Sequence, residues 1–296
     1  MDPDLPKVLR KRVGKTLSAR VPGATSRDQE PPPMRKSKVK AKLRRGEPVL
    51  LTTLHFTDPS LYEMTSLMGF DGVWMDMEHH GYSLETAMTL MRAARVHTAD
   101  IMVRPAKGEF MRLGRMLEAG AQGLMYPRCD DEHEARELVS WAKFAPLGRR
   151  GFDGGNPDMP YCTMGFNDYL QQANDETFLV VQIESEEALG RVGEIAAVPG
   201  VDVLFFGPGD FSILAGIPGQ FDHPKITEAM REISRAAAAA GKNWGMPTGT
   251  VDRTREIMDM GARFICHGAD LIMVKSAQEA IRSNFAPLGF TFDGVI

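Results

Sequence analysis

The chain has 296 residues, 43% hydrophobic, with a formal net charge of −4, enough to bury one large core and without the overall basic excess of a nucleic-acid binder. No stretch approaches the roughly 20 apolar residues of a membrane span, and the first thirty residues hold no apolar signal-peptide core. Cys129, Cys162 and Cys266 are odd in number and far apart, which excludes a disulfide framework and a zinc knuckle and makes a reducing, cytoplasmic setting the default.

Charge divides the chain in two. Residues 1–45 carry 14 Lys/Arg against 4 Asp/Glu, leaving 21 against 35 for residues 46–296. The first segment lacks apolar periodicity and contains Pro31-Pro32-Pro33, so it reads as a disordered basic extension. It has no interleaved aromatics for base stacking, and no nucleic-acid partner is expected. Residues 46–296 read as the folded domain.

Within that domain, eight strand-then-helix units follow one another. The first strand is 48–54, with a helix over 58–68 that Asp58-Pro59 would cap and start. The second is 72–77, with a helix over 83–95 capped by Ser83. The third is 101–103, with a helix over 110–118 stopped at Gly120. Strand 123–126 precedes helix 131–142, and strand 178–183 precedes helix 186–196. Strand 201–205 precedes the alanine-rich helix 225–240. Strand 243–246 precedes helix 251–260, and strand 264–267 precedes helix 271–284. Alternation of this kind implies a parallel sheet with helical crossovers, and eight units imply closure into an α/β (β/α)8 TIM barrel. No Gly-x-Gly-x-x-Gly follows the first strand, which argues against a dinucleotide fold. The connection 144–163, with Arg149-Arg150-Gly151-Phe152, is long enough for a lid or substrate loop.

Polar residues gather where the apolar runs stop. Val73-Trp74-Met75 leads into Asp76, Glu78, His79 and His80; Ile101-Met102-Val103 ends at Arg104; Val180-Val181 leads to Gln182 and Glu184; and Leu204-Phe205-Phe206 runs into Gly207-Pro208-Gly209-Asp210. Barrel enzymes place their chemistry at these carboxyl ends. Crowded carboxylates there call for a cation or a proton network. Glu184 and Asp210 offer hard oxygen ligands for a divalent metal, and Arg104 offers a fixed positive charge. His80, His55 and His267 read as structural or hydrogen-bonded histidines, and Lys275, in a helix, as a solvated charge.

Seven motifs in order give these positions a likeness. They are Gly-Phe-Asp-Gly-Val-Trp-Met-Asp-Met-Glu-His, Val-Arg-Pro, Leu-Glu-Ala-Gly-Ala-Gln-Gly-Leu-Met-Tyr-Pro, Pro-Leu-Gly-Arg-Arg-Gly, Val-Gln-Ile-Glu-Ser, Gly-Pro-Gly-Asp-Phe-Ser and Met-Gly-Ala-Arg-Phe-Ile. Over about residues 46–285 the chain resembles the HpcH/HpaI aldolase family of metal-dependent (class II) pyruvate aldolases. The resemblance implies reversible cleavage of a 4-hydroxy-2-oxo acid to pyruvate and an aldehyde, in the setting of aromatic compound catabolism. It matches Glu184 and Asp210 to the ligands of Mg2+, Mn2+ or Co2+, His79 to the catalytic histidine, and Asp76 to the aspartate that pairs with it. It matches Arg104 to the residue that stabilises the enolate oxygen, Gln182 to the mouth of the metal site, and the backbone of Gly207, Pro208, Gly209 and Asp210 to the turn that holds the pyruvate carboxylate. It also implies a homo-oligomer, a hexamer or trimer of dimers that exchange their final helix. The segments 153–157 and 161–163 depart from the family pattern, which leaves the acceptor aldehyde open. A citrate-lyase-type thioester lyase and a non-catalytic binding barrel are the alternatives; the first lacks an acyl-CoA signature, and the second has no use for this set of residues.

Overall fold

The computed structural model describes residues 34–294. Eight parallel strands close in the order β1-β2-β3-β4-β5-β6-β7-β8, with β8 returning to β1. They are β1 Val49–Leu54, β2 Gly72–Asp76, β3 Asp100–Arg104, β4 Gly123–Tyr126, β5 Phe178–Ile183, β6 Val203–Phe206, β7 Asn243–Thr248 and β8 Phe264–Ala269. The helices are α1 Lys38–Arg44, α2 Pro59–Leu67, α3 Leu84–Ala93, α4 Leu113–Ala119, α5 Glu132–Ala142, α6 Phe166–Glu176, α7 Glu186–Gly190, α8 Val192–Ala196, α9 Pro208–Leu214, α10 Pro224–Ala240, α11 Val251–Asp259 and α12 Asp270–Phe285. This is the expected (β/α)8 barrel. No described helix is long and apolar enough to cross a membrane.

Strand alternation sorts the side chains into two cores. Val49, Leu51, Trp74, Met102, Met125, Phe178, Val180, Val203, Phe205, Phe264 and Cys266 fill the barrel interior. Their neighbours in sequence, among them Val73, Met75, Ile101, Val103, Leu179, Val181 and Leu204, pack outward beneath the helices. The interior is tight enough to dictate glycine at Gly123, where a Cβ would lie 2.2 Å from the Phe178 ring on the paired strand. Helix starts follow local chemistry: the side chains of Asp58, Ser83, Asp131, Ser185 and Thr250 each accept a first-turn N–H.

Four helices depart from the expected pattern. The segment expected as one helix over 186–196 is α7 and α8, broken at Arg191. α6 and α9 fall where no helix was expected. The 144–163 connection is pinned instead of free: Arg150 donates to Asp158 at 2.8 Å, and the Tyr169 hydroxyl of α6 donates to the same carboxylate at 2.7 Å, all buried.

The domain boundary needs correction. Residues 1–33 lie outside the described residues, but 34–45 do not form an extension. α1 plugs the amino-terminal end of the barrel, with Val39 and Leu43, one turn apart, packed into the interior core. Ser37 caps α1 and donates to the buried Asp100 carboxylate at 2.6 Å, which also accepts the Val39 N–H at 2.9 Å. Burial raises the Asp100 carboxyl to about 6, against the pull of the Ser37 hydrogen bond. The lysines that suggest a tail are counter-charges: Lys38 and Lys42 pair with Asp71 at 3.1 and 2.7 Å, and Lys40 pairs with Asp202 at 3.4 Å. Leu43→Ala should therefore cost about 2–3 kcal/mol, the lower part of the range for a buried leucine. Urea unfolding checks this, and a loss below about 0.5 kcal/mol, the scale of a surface substitution, would mean that α1 is a peripheral appendage.

Candidate active site

The parity that fills the interior also builds its mouth. Counting by two from Trp74, Met102 and Phe178 reaches Asp76, Arg104, Gln182 and Glu184, so these side chains face inward at the carboxyl end. Register sets Asp76 directly beside Arg104 on the neighbouring strand. The Arg104 guanidinium donates from Nε to Asp76 Oδ1 at 3.0 Å and from Nη2 to Oδ2 at 2.7 Å, a bidentate pair. Nη1 donates to Gln182 Oε1 at 3.3 Å, and Glu78 Oε2 lies 3.3 Å from Nε. Arg104 sits over the Trp74 ring at 4.7 Å. Burial alone would raise the Asp76 carboxyl, but Arg104 overcomes this and holds it below its ordinary value.

Gln182 links this pair to the second half of the site. Its Oε1 is taken by Arg104, so its Nε2 donates to Glu184 Oε1 at 3.0 Å. Glu184 Oε2 accepts the Arg128 N–H at 2.9 Å. The carboxylate lies against the turn after β6, where a Cβ on Gly207 would come within 2.0 Å of Oε1; only glycine leaves that space. Burial pushes the Glu184 carboxyl up to about 7, with the Asp210 charge adding to the rise. Asp210 is exposed in the first turn of α9.

A buried acid set against a turn that only glycine permits, and raised further by the charge of Asp210, offers oxygen donors to a hard divalent cation, which would remove the repulsion. No group of three His, Cys, Asp or Glu side chains converges among the described residues. Two protein carboxylates with the remaining positions left to substrate and water suit Mg2+ or a similar ion.

The imidazoles fall differently from expectation. The Asp76 carboxylate does not hold the His79 ring. Its oxygens are engaged by Arg104, and Oδ1 also accepts the backbone N–H of Glu78 at 3.0 Å and of His79 at 3.4 Å. A buried guanidinium is a stronger and better-matched partner than an imidazole, so Arg104 takes the place assigned to His79. The His79 side chain is 60% exposed, with Nε2 3.6 Å from Glu78 Oε2. The imidazole near Asp76 is that of His80, at 3.9 Å. His80 packs edge-on against His55 and stacks on Tyr82, while His55 Nδ1 is 2.9 Å from Asp270 Oδ1. His267 is turned away and meets the Thr248 carbonyl. Lys275 pairs with Glu279 on α12, away from any strand end.

The 207–210 turn offers fewer amides than expected. Pro208 has none, and the Gly207 N–H donates to the Ile183 carbonyl at 3.1 Å. Gly209 and Asp210 remain, in the first turn of α9, where helical N–H groups lack intrahelical partners. Two residues of the site were not assigned from sequence. Glu78 was noticed without a role, yet it bridges Arg104 and Arg128, the latter at 3.1 Å. Arg128 gave no signal beyond its place after the β4 strand.

Comparison with known proteins identifies the family. The family model described as HpcH/HpaI aldolase/citrate lyase matches residues 54–277. A hydroxypyruvate/pyruvate aldolase of Delftia acidovorans is 33% identical over 80% of this chain and 88% of its own length. A 4-hydroxy-2-oxo-heptane-1,7-dioate aldolase of Escherichia coli is 30% identical over 83% of this chain and 94% of its own. The crystal structure of an HpcH/HpaI aldolase from Desulfitobacterium hafniense superposes with a TM-score of 0.79 at 29% identity, covering 83% of this chain and 96% of that one. A parallel barrel with acids and an arginine at the ends of its second, third, fifth and sixth units, matched over most of its length, places the chain in the HpcH/HpaI aldolase/citrate lyase family.

Proposed function

We propose that the protein is a class II pyruvate aldolase that reversibly cleaves a 4-hydroxy-2-oxo acid to pyruvate and an aldehyde. The observation that carries this reading is the joint placement of a buried guanidinium and a buried, glycine-cradled carboxylate at one barrel mouth, with Asp210 on the turn that follows. Cleavage breaks the C3–C4 bond, leaves its electrons on the pyruvate enolate, and removes the proton from the C4 hydroxyl as the aldehyde forms. Glu184 and Asp210 would hold a divalent cation, which would supply Lewis-acid stabilisation of the enolate charge. Arg104 spends three of its five N–H groups on Asp76 and Gln182, and the others are free to meet the developing oxyanion. Asp76 and Trp74 fix the plane of that guanidinium before substrate arrives. Gly209 and Asp210 present amides to the pyruvate carboxylate. His79, held through its backbone by Asp76 and open to the mouth, takes the C4 hydroxyl proton. The activities of the aldolase relatives support the same chemistry. The cytoplasm is the proposed compartment.

We further read the active form as a homo-oligomer whose dimers exchange their last helix, with a hexamer built from three such dimers as the expected assembly. Of the sixteen residues of α12 only Asp270 is buried, whereas α10 buries five. Ile272 is 64% exposed, and Leu271, Met273, Val274, Ile281 and Phe285 are exposed with it. An open groove lined by Phe56, Pro59, Leu61 and Met64 beside α2 offers apolar surface of the kind such a helix would cover.

Exhaustive chelation should abolish cleavage, and Mg2+, Mn2+ or Co2+ should restore it; full activity after chelation would falsify the class II reading. The Glu184 shift adds a pH dependence. An acid whose folded value is raised contributes stability below its ordinary 4.5, and that contribution is lost as pH rises through about 7. A divalent cation binds the ionised form, so its stabilisation in thermal melts should be larger at pH 8 than at pH 6 and absent in Glu184→Gln.

His79→Ala should lower kcat by about 10²–10⁴-fold, the usual worth of general acid–base help, with pyruvate and metal still bound. His80→Ala should be far milder. Steady-state kinetics on both variants decide this, and a reversed order would transfer the proton-transfer role to His80.

Ile272→Asp combined with Ile281→Asp should reduce the assembly in light scattering while the barrel remains folded by circular dichroism. A wild-type protein that is an active, stable monomer would overturn helix exchange.

A further inference from the structure

Arg128 stands out among the cations at the mouth because its backbone is strained and its charge is not fully used. It follows Tyr126-Pro127 at the end of β4 with φ +44°, a region that a residue with a Cβ enters at an energetic cost and that clusters at functional sites. Three contacts hold it there. Its N–H is taken by Glu184 at 2.9 Å, its carbonyl accepts from Lys107 at 2.7 Å, and the following N–H, of Cys129, donates to the Gln182 carbonyl at 3.0 Å. The result is a side chain carried over the mouth, where Nη2 reaches Glu78 Oε1 at 3.1 Å.

The neighbouring cations have more partners. Arg104 is buried and bound to Asp76, Gln182 and Glu78, and Lys107 is matched by Asp130, by Glu134 at 3.2 Å and by the Arg128 carbonyl. Arg128 instead shares Glu78 with Arg104 and donates from one nitrogen only; no other partner for its guanidinium is found among the described residues. Its side chain is 48% exposed, while that of Glu78 is 7% exposed. A half-open guanidinium with a free donor edge, beside but outside the pocket of Arg104 and Glu184, is placed to form a bidentate pair with an anion.

We infer that Arg128 is a specificity-determining residue that selects acceptor aldehydes bearing a carboxylate or phosphate group. This rests on the aldolase reading and extends it to the half of the substrate that the pyruvate site does not touch. The anionic tail of the aldehyde meets the Arg128 guanidinium, while the carbonyl end lies toward Arg104 and the two carboxylates.

The test measures kcat/KM in the condensation direction with pyruvate for four aldehydes: glyoxylate and succinic semialdehyde as carboxylates, glyceraldehyde 3-phosphate as the phosphate, and glycolaldehyde as the neutral control. Wild type should favour at least one anionic class over glycolaldehyde. Arg128→Leu should lower that anionic-to-neutral ratio by about 10–100-fold, the worth of a charged hydrogen bond, mainly through KM for the aldehyde. Arg128→Lys should keep part of the preference. The class whose ratio falls, carboxylate or phosphate, identifies the anion. A ratio that stays within about twofold of wild type for both classes overturns the assignment, whatever happens to the absolute rates. Deuterium exchange into the pyruvate methyl group, run on wild type with Mn2+, separates the two levels: without exchange the aldolase reading falls and this inference with it, and with exchange but no change in ratio only the role of Arg128 falls.

Discussion

The buried guanidinium of Arg104 organises the mouth of the barrel. A fixed charge inside a protein must be matched by carboxylates and by polar groups with good geometry. Strand register supplies Asp76 for the bidentate contact, Trp74 supplies a π face, and Gln182 supplies its carbonyl oxygen. The last of these has a consequence two residues on. With Oε1 committed, Gln182 can only donate to Glu184, so the amide transmits an orientation from the cation to the buried carboxylate. Glu78 then joins the buried charge to Arg128 at the rim.

The two ends of the barrel are governed by opposite requirements. At the amino-terminal end, Val39 and Leu43 close the interior, Asp71 is paired with two lysines and Asp202 with a third, and Asp100 binds α1 through a hydroxyl and an amide. At the carboxyl end, Glu184 is buried beside another acid and is raised toward neutrality, an arrangement that favours the bound over the empty site. Eleven apolar side chains of the interior separate the two. Tolerance at one end therefore need not be shared by the other, which is the usual division of labour in barrels of this type.

Much of this was legible because the strands carry their own parity. Runs such as Val180-Val181-Gln182-Ile183-Glu184 announce both the buried strand and the polar residues that its interior face delivers to the top. Asp58 and Ser83 announced their helices by chemistry that acts within four residues. What escaped depends on more distant partners. α1 shows only Val39 and Leu43 among seven residues, and its lysines make sense only when Asp71 and Asp202 are seen beneath them. α6 is dominated by Asn, Asp and Gln, and its buried Tyr169 and Ala173 are too few to set a period. α9 begins at Pro208 after a glycine, a turn signal as much as a helix start. At the site, the five charged and amide residues at strand ends were readable, whereas the partner of Asp76 was not. That choice is a competition between a guanidinium and an imidazole across strands, and local sequence does not hold the result. Arg128 was hidden for a related reason: a left-handed backbone at a non-glycine residue is imposed by Glu184, Lys107 and Gln182, none of which is its neighbour in sequence.

The plug at the amino-terminal end also sets an order of events. α1 precedes every described strand, yet groups that hold it are far downstream: Ser37 meets Asp100 across 63 positions, and Lys36 meets Glu176 across 140. During synthesis α1 cannot complete its docking until Glu176 and β5 have emerged, and at seven residues it is too short to persist as an isolated helix. Contacts of such span carry a large loop-closure entropy and tend to form after the local βα units have assembled. The first helix of the domain is thus positioned to be among the last to lock, a clasp that fastens a barrel already closed.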